Sequence, residues 1–177
     1  FAPRGFEVWL TSGRKAKWLP ELVTHAELPG AKIGVSGADM TLRAFEAFKK
    51  SIDELAWGLR PSVGPASPII EKLRKQKDAA EVEALQHAIA IGDEAFERVE
   101  ASLQPGMTET AIAAAIEQAI RDLGGAGVSF DTIVAAGPWG ALPHATPRDE
   151  PICEGEPIVI DMGALAGGYC SDLTRTT

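Results

Sequence analysis

The sequence predicts an α+β protein in two unequal parts, and three observations carry that reading. Two helical patterns follow one another between residues 78 and 123. They give way to short β-branched, apolar runs separated by Pro- and Gly-rich loops. Ahead of them lies a smaller strand–helix segment that ends in a connector over 56–70 with three prolines and two glycines. Helices first and antiparallel strands second give an α+β layer in which helices cover one face of a sheet.

The elements are read in order. Residues 1–31 contain Trp9, Leu10, Trp18, Leu19 and Leu22 without clear periodicity, with a helix expected near 15–25. Residues 32–35 (Lys-Ile-Gly-Val) read as a short buried strand, with a turn at 36–39. A helix is expected over 41–51, with Leu42, Phe45 and Phe48 on one face. Asp78 suits an N-cap, and Glu81, three residues on, suits its capping-box partner. Val82, Leu85, Ala88, Ile89, Phe96, Val99 and Leu103 then fall at helical spacing, so a long amphipathic helix should run to about 103 and stop at Pro105-Gly106. Thr108 caps the next helix, whose stripe is Ile112, Ala115, Ile116, Ala119, Ile120 and Leu123, and Gly124-Gly125 ends it. Residues 130–136 read as a strand, and 138–156 as a loop.

The stretch from Ile158 to Thr174 is the most informative. An apolar strand run ending in Asp161, a small Gly-rich middle, and a second strand run containing Asp172 read as a hairpin. With Leu165 to Gly168 as a four-residue loop, Ala164 pairs with Tyr169 and Asp161 stands directly opposite Asp172. Like charges there repel, so the pair calls for a shared proton or a divalent cation. A surface hairpin with two solvated acids is the plainer alternative.

Composition bounds the partners. The 177 residues are 45% hydrophobic and 24% charged, with a net charge of -8, which is ordinary for a globular protein of one or two domains. An acidic balance disfavours nucleic acid and anionic membrane surfaces. No apolar run approaches a membrane span, and no basic-then-apolar signal segment opens the sequence. Cys153 and Cys170 form no metal-type pattern and are expected to pack in the core of a protein from a reducing, cytoplasmic setting. The sequence starts at Phe1 and stops five residues after Asp172, and both ends read as cut.

Residues 128–177 also carry a resemblance. Val-Ser-Phe-Asp-Thr-Ile-Val-Ala-Ala-Gly, Leu-Pro-His, Val-Ile-Asp-Met-Gly and Gly-Tyr-Cys-Ser-Asp-Leu-Thr-Arg-Thr together resemble the pita-bread metallopeptidases. Within them the match is to the Xaa-Pro branch of prolidase and aminopeptidase P. Residues 74–78 and 105–109 are similar to the entry into that catalytic domain. The most specific part is His144, Asp161 and Asp172 at spacings of seventeen and eleven residues.

The resemblance implies a fold in which 1–69 is the end of a smaller α/β N-terminal domain and 70–177 the first half of the pita-bread catalytic domain. It also implies two adjacent divalent metals, manganese first, with cobalt or zinc as alternatives. Asp161 and Asp172 would be ligands, Asp172 bridging both ions. A histidine and two glutamates would complete the set from further along a longer protein, so this chain alone is expected to be inactive. His144 would act beside the metals as a catalytic donor rather than a ligand. The implied substrate is an Xaa-Pro dipeptide, or a peptide with proline second, and the implied assembly a homodimer. Tyr169 and Arg175 could support the site but are more often structural, Trp139 could border a pocket, and His25 and His87 receive no role. Two rival readings are a metal-free creatinase-type amidinohydrolase and a non-catalytic pita-bread binding module. The two aspartates weigh against both.

Overall fold

The computed structural model describes residues 18, 21–23, 25–26, 30–36, 40–66 and 68–177. The chain divides into two compact units, Phe1–Gln76 and Lys77–Thr177.

In the first unit, β1 (Lys32–Val35) pairs in parallel with β2 (Ser62–Pro65), Ile33 facing Val63. Parallel strands need a crossover, and α1 (Leu42–Asp53) supplies it, capped by Thr41, whose hydroxyl accepts from the Ala44 N–H. Ile52 and Val23 are buried at the centre, with Trp18, Leu22, Ile33, Phe48, Leu55 and Val63 packed around them. Three expectations change here. The connector over 56–70 contains a strand, because Ser62–Pro65 finds a partner thirty residues upstream. Strand β1 is half-exposed instead of buried. On α1 the buried positions are Ser51 and Ile52, while Leu42 is exposed. Trp18, residues 21–23 and His25 are helical, whereas Trp9, Leu10 and Leu19 lie outside the described residues. A short helix, α2 (Ile69–Lys75), closes the unit.

The second unit is two helices on a sheet. The helix α3 (Ala79–Glu100) begins with the full capping box: Asp78 accepts from the Glu81 N–H, and Glu81 accepts from the Asp78 N–H. The helix α4 (Glu109–Asp122) begins at Thr108, which accepts from the Ala111 N–H. It ends where the Gly124 and Gly125 N–H groups return to Arg121 and Ile120. Ile112, Ile116 and Ile120 of α4 are completely enclosed, each contributing about 1.5–3 kcal/mol of burial.

The buried face of α3 is Ala88, Ile91, Gly92, Ala95, Phe96 and Val99, while Val82 and Ile89 are part-exposed. Ala88, Phe96 and Val99 of the expected stripe are thus buried, with Ile91, Gly92 and Ala95 taking the places of Val82 and Ile89. The helix's small residues allow close approach: a Cβ on Gly92 would stand 2.8 Å from the Leu173 side chain.

The strands are β3 (Gly127–Val128), β4 (Ile133–Ala136), β5 (Ile158–Met162), β6 (Ala164–Ala166), β7 (Tyr169–Cys170) and β8 (Leu173–Thr176). They form two three-stranded antiparallel sheets, β3-β6-β7 and β4-β5-β8, that follow one another along the same hairpin. Between the two sheets, residues 129–132 stand against only 162–163, so the strand expected over 130–136 begins only at Ile133, after a bulge. Val134, Ala136, Ile158, Ile160, Met162, Ala164 and Ala166 pack beneath the helices in one core. Both cysteines are free and exposed, not core residues. Among the described residues no helix is long and apolar enough to cross a membrane.

Candidate metal centre

The hairpin that carries both aspartates turns through Gly167 and Gly168, both at positive φ (59° and 82°). Two such residues suit a two-residue type I′ turn, whose twist matches that of the flanking strands. The loop is therefore two residues, not four. Ala166 pairs with Tyr169 and Leu165 with Cys170, and the same register continues to Met162–Leu173 and Asp161–Thr174. The expected cross-strand pair of aspartates is thus corrected: Asp161 faces Thr174, and continuation of the register sets Asp172 opposite Gly163. The two aspartates become diagonal neighbours, roughly 7–8 Å apart instead of about 5 Å. Direct repulsion is eased, and both carboxylates can still turn toward a point between them.

Which face they occupy follows from alternation along β7 and β8. Tyr169, Ser171, Leu173 and Arg175 all meet α3. The Tyr169 hydroxyl donates to Glu81 (2.9 Å), Ser171 Oγ donates to the Ala88 carbonyl (3.0 Å), and Arg175 Nη2 donates to Asp93 (2.7 Å). Leu173 packs on Gly92. Asp172 and Thr174 alternate with these residues and so lie on the opposite face. Asp161 shares that face, because Thr174 Oγ1 donates to its Oδ1 at 2.7 Å. Asp161 is half-buried and Asp172 exposed. Neither forms an ion pair among the described residues.

Gly163 makes this arrangement possible. A Cβ there would lie 2.0 Å from the Ser171 carbonyl oxygen and 2.9 Å from Ser129 Oγ. Only a residue without a side chain lets the three strands close at this level.

The loop after β4 covers part of the same face. Its 3₁₀ turn, Gly137–Ala141, brings Gly140 to within contact of the Val159 side chain, and Val159 lies two residues before Asp161 on the same strand. His144 follows in this loop and is exposed. Among the described residues no three His, Cys, Asp or Glu side chains gather as a metal-holding group.

Both flanks of that loop are held by a residue that sequence reasoning passed over. Glu109, the first residue of α4, is 0% exposed. Its Oε1 accepts from the Ala136 N–H (2.9 Å) and from Arg148 Nη2 (2.7 Å). Its Oε2 accepts from the Arg148 N–H (2.8 Å) and Nε (3.0 Å). Burial alone would raise this carboxyl's pKa. The Arg148 fork and the two backbone N–H groups outweigh it and hold the pKa below the usual range. The Arg148 guanidinium, itself pushed up by Glu109, stacks 4.6 Å from the centre of the Trp139 ring. The Trp139 indole N–H donates to the Thr146 carbonyl (3.2 Å). Trp139 is therefore a brace within the loop. An acidic residue after an N-cap normally only faces the helix dipole, so nothing local marked Glu109 as buried. Thr174 was also missed, since its partner depended on the register.

Comparison with known proteins adds the lineage. A model of metallopeptidase family M24 matches residues 83–177, more than half of the chain. The uncharacterized peptidase YqhT of Bacillus subtilis is 34% identical over 173 residues, which is 98% of this chain and 47% of that protein. Among solved structures, the Xaa-Pro dipeptidase from Bacillus anthracis superposes with a TM-score of 0.87 at 32% identity, over 98% of this chain and 46% of that one. The X-Pro aminopeptidase from Thermotoga maritima does so with a TM-score of 0.80 at 31% identity, over 95% and 46%. The chain spans less than half the length of these relatives.

Proposed function

The chain belongs to metallopeptidase family M24, with the α+β fold of the N-terminal half of a pita-bread prolidase, and we propose that the complete protein cleaves the peptide bond preceding proline. Supporting the substrate class are the names of the similar structures, an Xaa-Pro dipeptidase and an X-Pro aminopeptidase. The single observation that carries the site is the placement of Asp161 and Asp172 on the sheet face away from the helices, with Thr174 donating to Asp161.

The donor set fits divalent cations. Carboxylate oxygens suit hard ions such as manganese, and these two stand as diagonal neighbours on one face. They supply fewer oxygens than the roughly six such ions take, so the remaining ligands would come from the rest of a longer protein, and this chain alone would be inactive. Bound cations would polarise the scissile carbonyl and bring a water's pKa toward neutrality. The chain's own contributions are separate. Asp161 and Asp172 would hold the ions, Asp172 as the ligand they share. Thr174 fixes which Asp161 oxygen is free to turn inward. His144 donates a hydrogen bond to the substrate or to the oxyanion that develops on its carbonyl.

The test is cleavage by the complete, metal-loaded protein of an Xaa-Pro dipeptide and of a longer peptide with proline second. Hydrolysis of either, abolished by a chelator and restored by manganese, is expected. No cleavage of either substrate would contradict the proposal.

A further inference from the structure

An ion pair between one buried partner, Glu109, and one part-exposed partner, Arg148, is a poor device for stability alone, because burying the charge carries a desolvation cost. What Glu109 and Arg148 supply instead is geometry. Glu109 stands at the start of α4, whose Ile112, Ile116 and Ile120 are locked in the core. From that fixed base its two oxygens reach Ala136, where the His144 loop departs, and Arg148, where it returns. The fork between Arg148 and Glu109 uses two guanidinium nitrogens on two oxygens, which sets angle as well as distance. Arg148 in turn stacks on Trp139, and Trp139 reaches across to Thr146, two residues past His144. One carboxylate thereby constrains residues on both sides of His144.

We propose that Glu109 is a positioning residue, which through Arg148 and Trp139 holds the loop over 137–148 in the conformation that presents His144 to the substrate. The proposal rests on the catalytic reading of His144 given above. It adds that the imidazole's placement depends on a carboxylate outside the metal centre.

The experiment uses the complete, metal-loaded protein and compares Glu109→Gln, His144→Ala and the double variant. Glu109→Gln keeps size and removes charge. It should retain its metal and lose kcat on the order of 10–10²-fold, the cost of a misplaced catalytic group, with a smaller change in KM. Amide hydrogen exchange should rise across 137–148 and stay unchanged in the hairpin over 158–176. In the His144→Ala background, Glu109→Gln should cost no further turnover. Should Glu109→Gln fail to accumulate, Arg148→Lys, which keeps the charge and loses the fork, should show the same pattern more weakly. Additive losses in the double variant, or unchanged exchange in the loop, would overturn the proposal. Normal turnover of His144→Ala with metal in place would overturn it by a different route, by removing the catalytic role on which it rests.

Discussion

At the scale of single residues, the hydrogen bond from Thr174 to Asp161 is the contact that would orient Asp161 as the ligand proposed above. A carboxylate with one oxygen engaged at 2.7 Å presents the other in a defined direction, and partners of this kind commonly tune metal affinity by about 10–100-fold. Thr174→Val keeps the shape and the strand preference and removes only the donor. In the complete protein it should weaken metal binding by roughly 10–100-fold with the melting temperature nearly unchanged. Isothermal titration with manganese measures this, and wild-type affinity in the variant would make the hydrogen bond incidental. The sequence contained both residues but not their pairing. A shift of two positions in the register exchanged Asp172 for Thr174 opposite Asp161, and a shift of two keeps the same face. The face of the aspartates was therefore legible while their contact was not.

At the scale of elements, local signals were read well and long-range ones poorly. The Asp78–Glu81 capping box and the Thr108 cap act within three residues, so the helix starts were legible. The hairpin loop turned on a choice the sequence does state. Gly167-Gly168 flanked by strand runs favours the two-residue turn, and both glycines adopt it. Strand β2 was hidden because its partner lies thirty residues away and its own composition is that of a loop. The share of Gly92 and Ala95 in the buried face of α3 was hidden because they carry little hydrophobic signal but allow close approach.

Gly163 gives the element-scale prediction. A methyl group there meets a backbone carbonyl at 2.0 Å, which cannot yield as a flexible side chain would. Gly163→Ala should destabilise by about 1–3 kcal/mol or more, as overpacking does, and lower the denaturant midpoint. An unchanged midpoint would mean that the strands close differently at this level.

At the scale of the molecule, the second unit is a sheet with two faces of opposite purpose. Helices and an apolar core fill one, and the acidic residues occupy the other. The pH dependence of stability should reflect the one charge set deep in that unit. Because the Glu109 carboxyl is held below its usual pKa, its stabilising effect is fully present above the unfolded value and is lost as pH falls through the lower folded value. The stability advantage of wild type over Glu109→Gln should be complete at neutral pH and shrink below about pH 4.3. Urea midpoints across that range would show it, and an advantage unchanged down to about pH 3 would contradict the assignment. Family and fold class were legible together because His144, Asp161 and Asp172 sit in recognisable strand and loop sequences. The Glu109 brace was not, since it joins positions 27 and 39 residues apart.

Asp161 and Asp172 are proposed as metal ligands on one face of the sheet, with Asp172 shared between two ions. Metal content of the complete protein carrying Asp172→Asn tests this proposal most directly. The substitution keeps the side chain's size and removes the charge on which a shared ligand depends. Elemental analysis after exhaustive dialysis should find at least one ion fewer than in wild type, with the fold unchanged by circular dichroism. Wild-type metal stoichiometry in a folded Asp172→Asn protein would contradict the account.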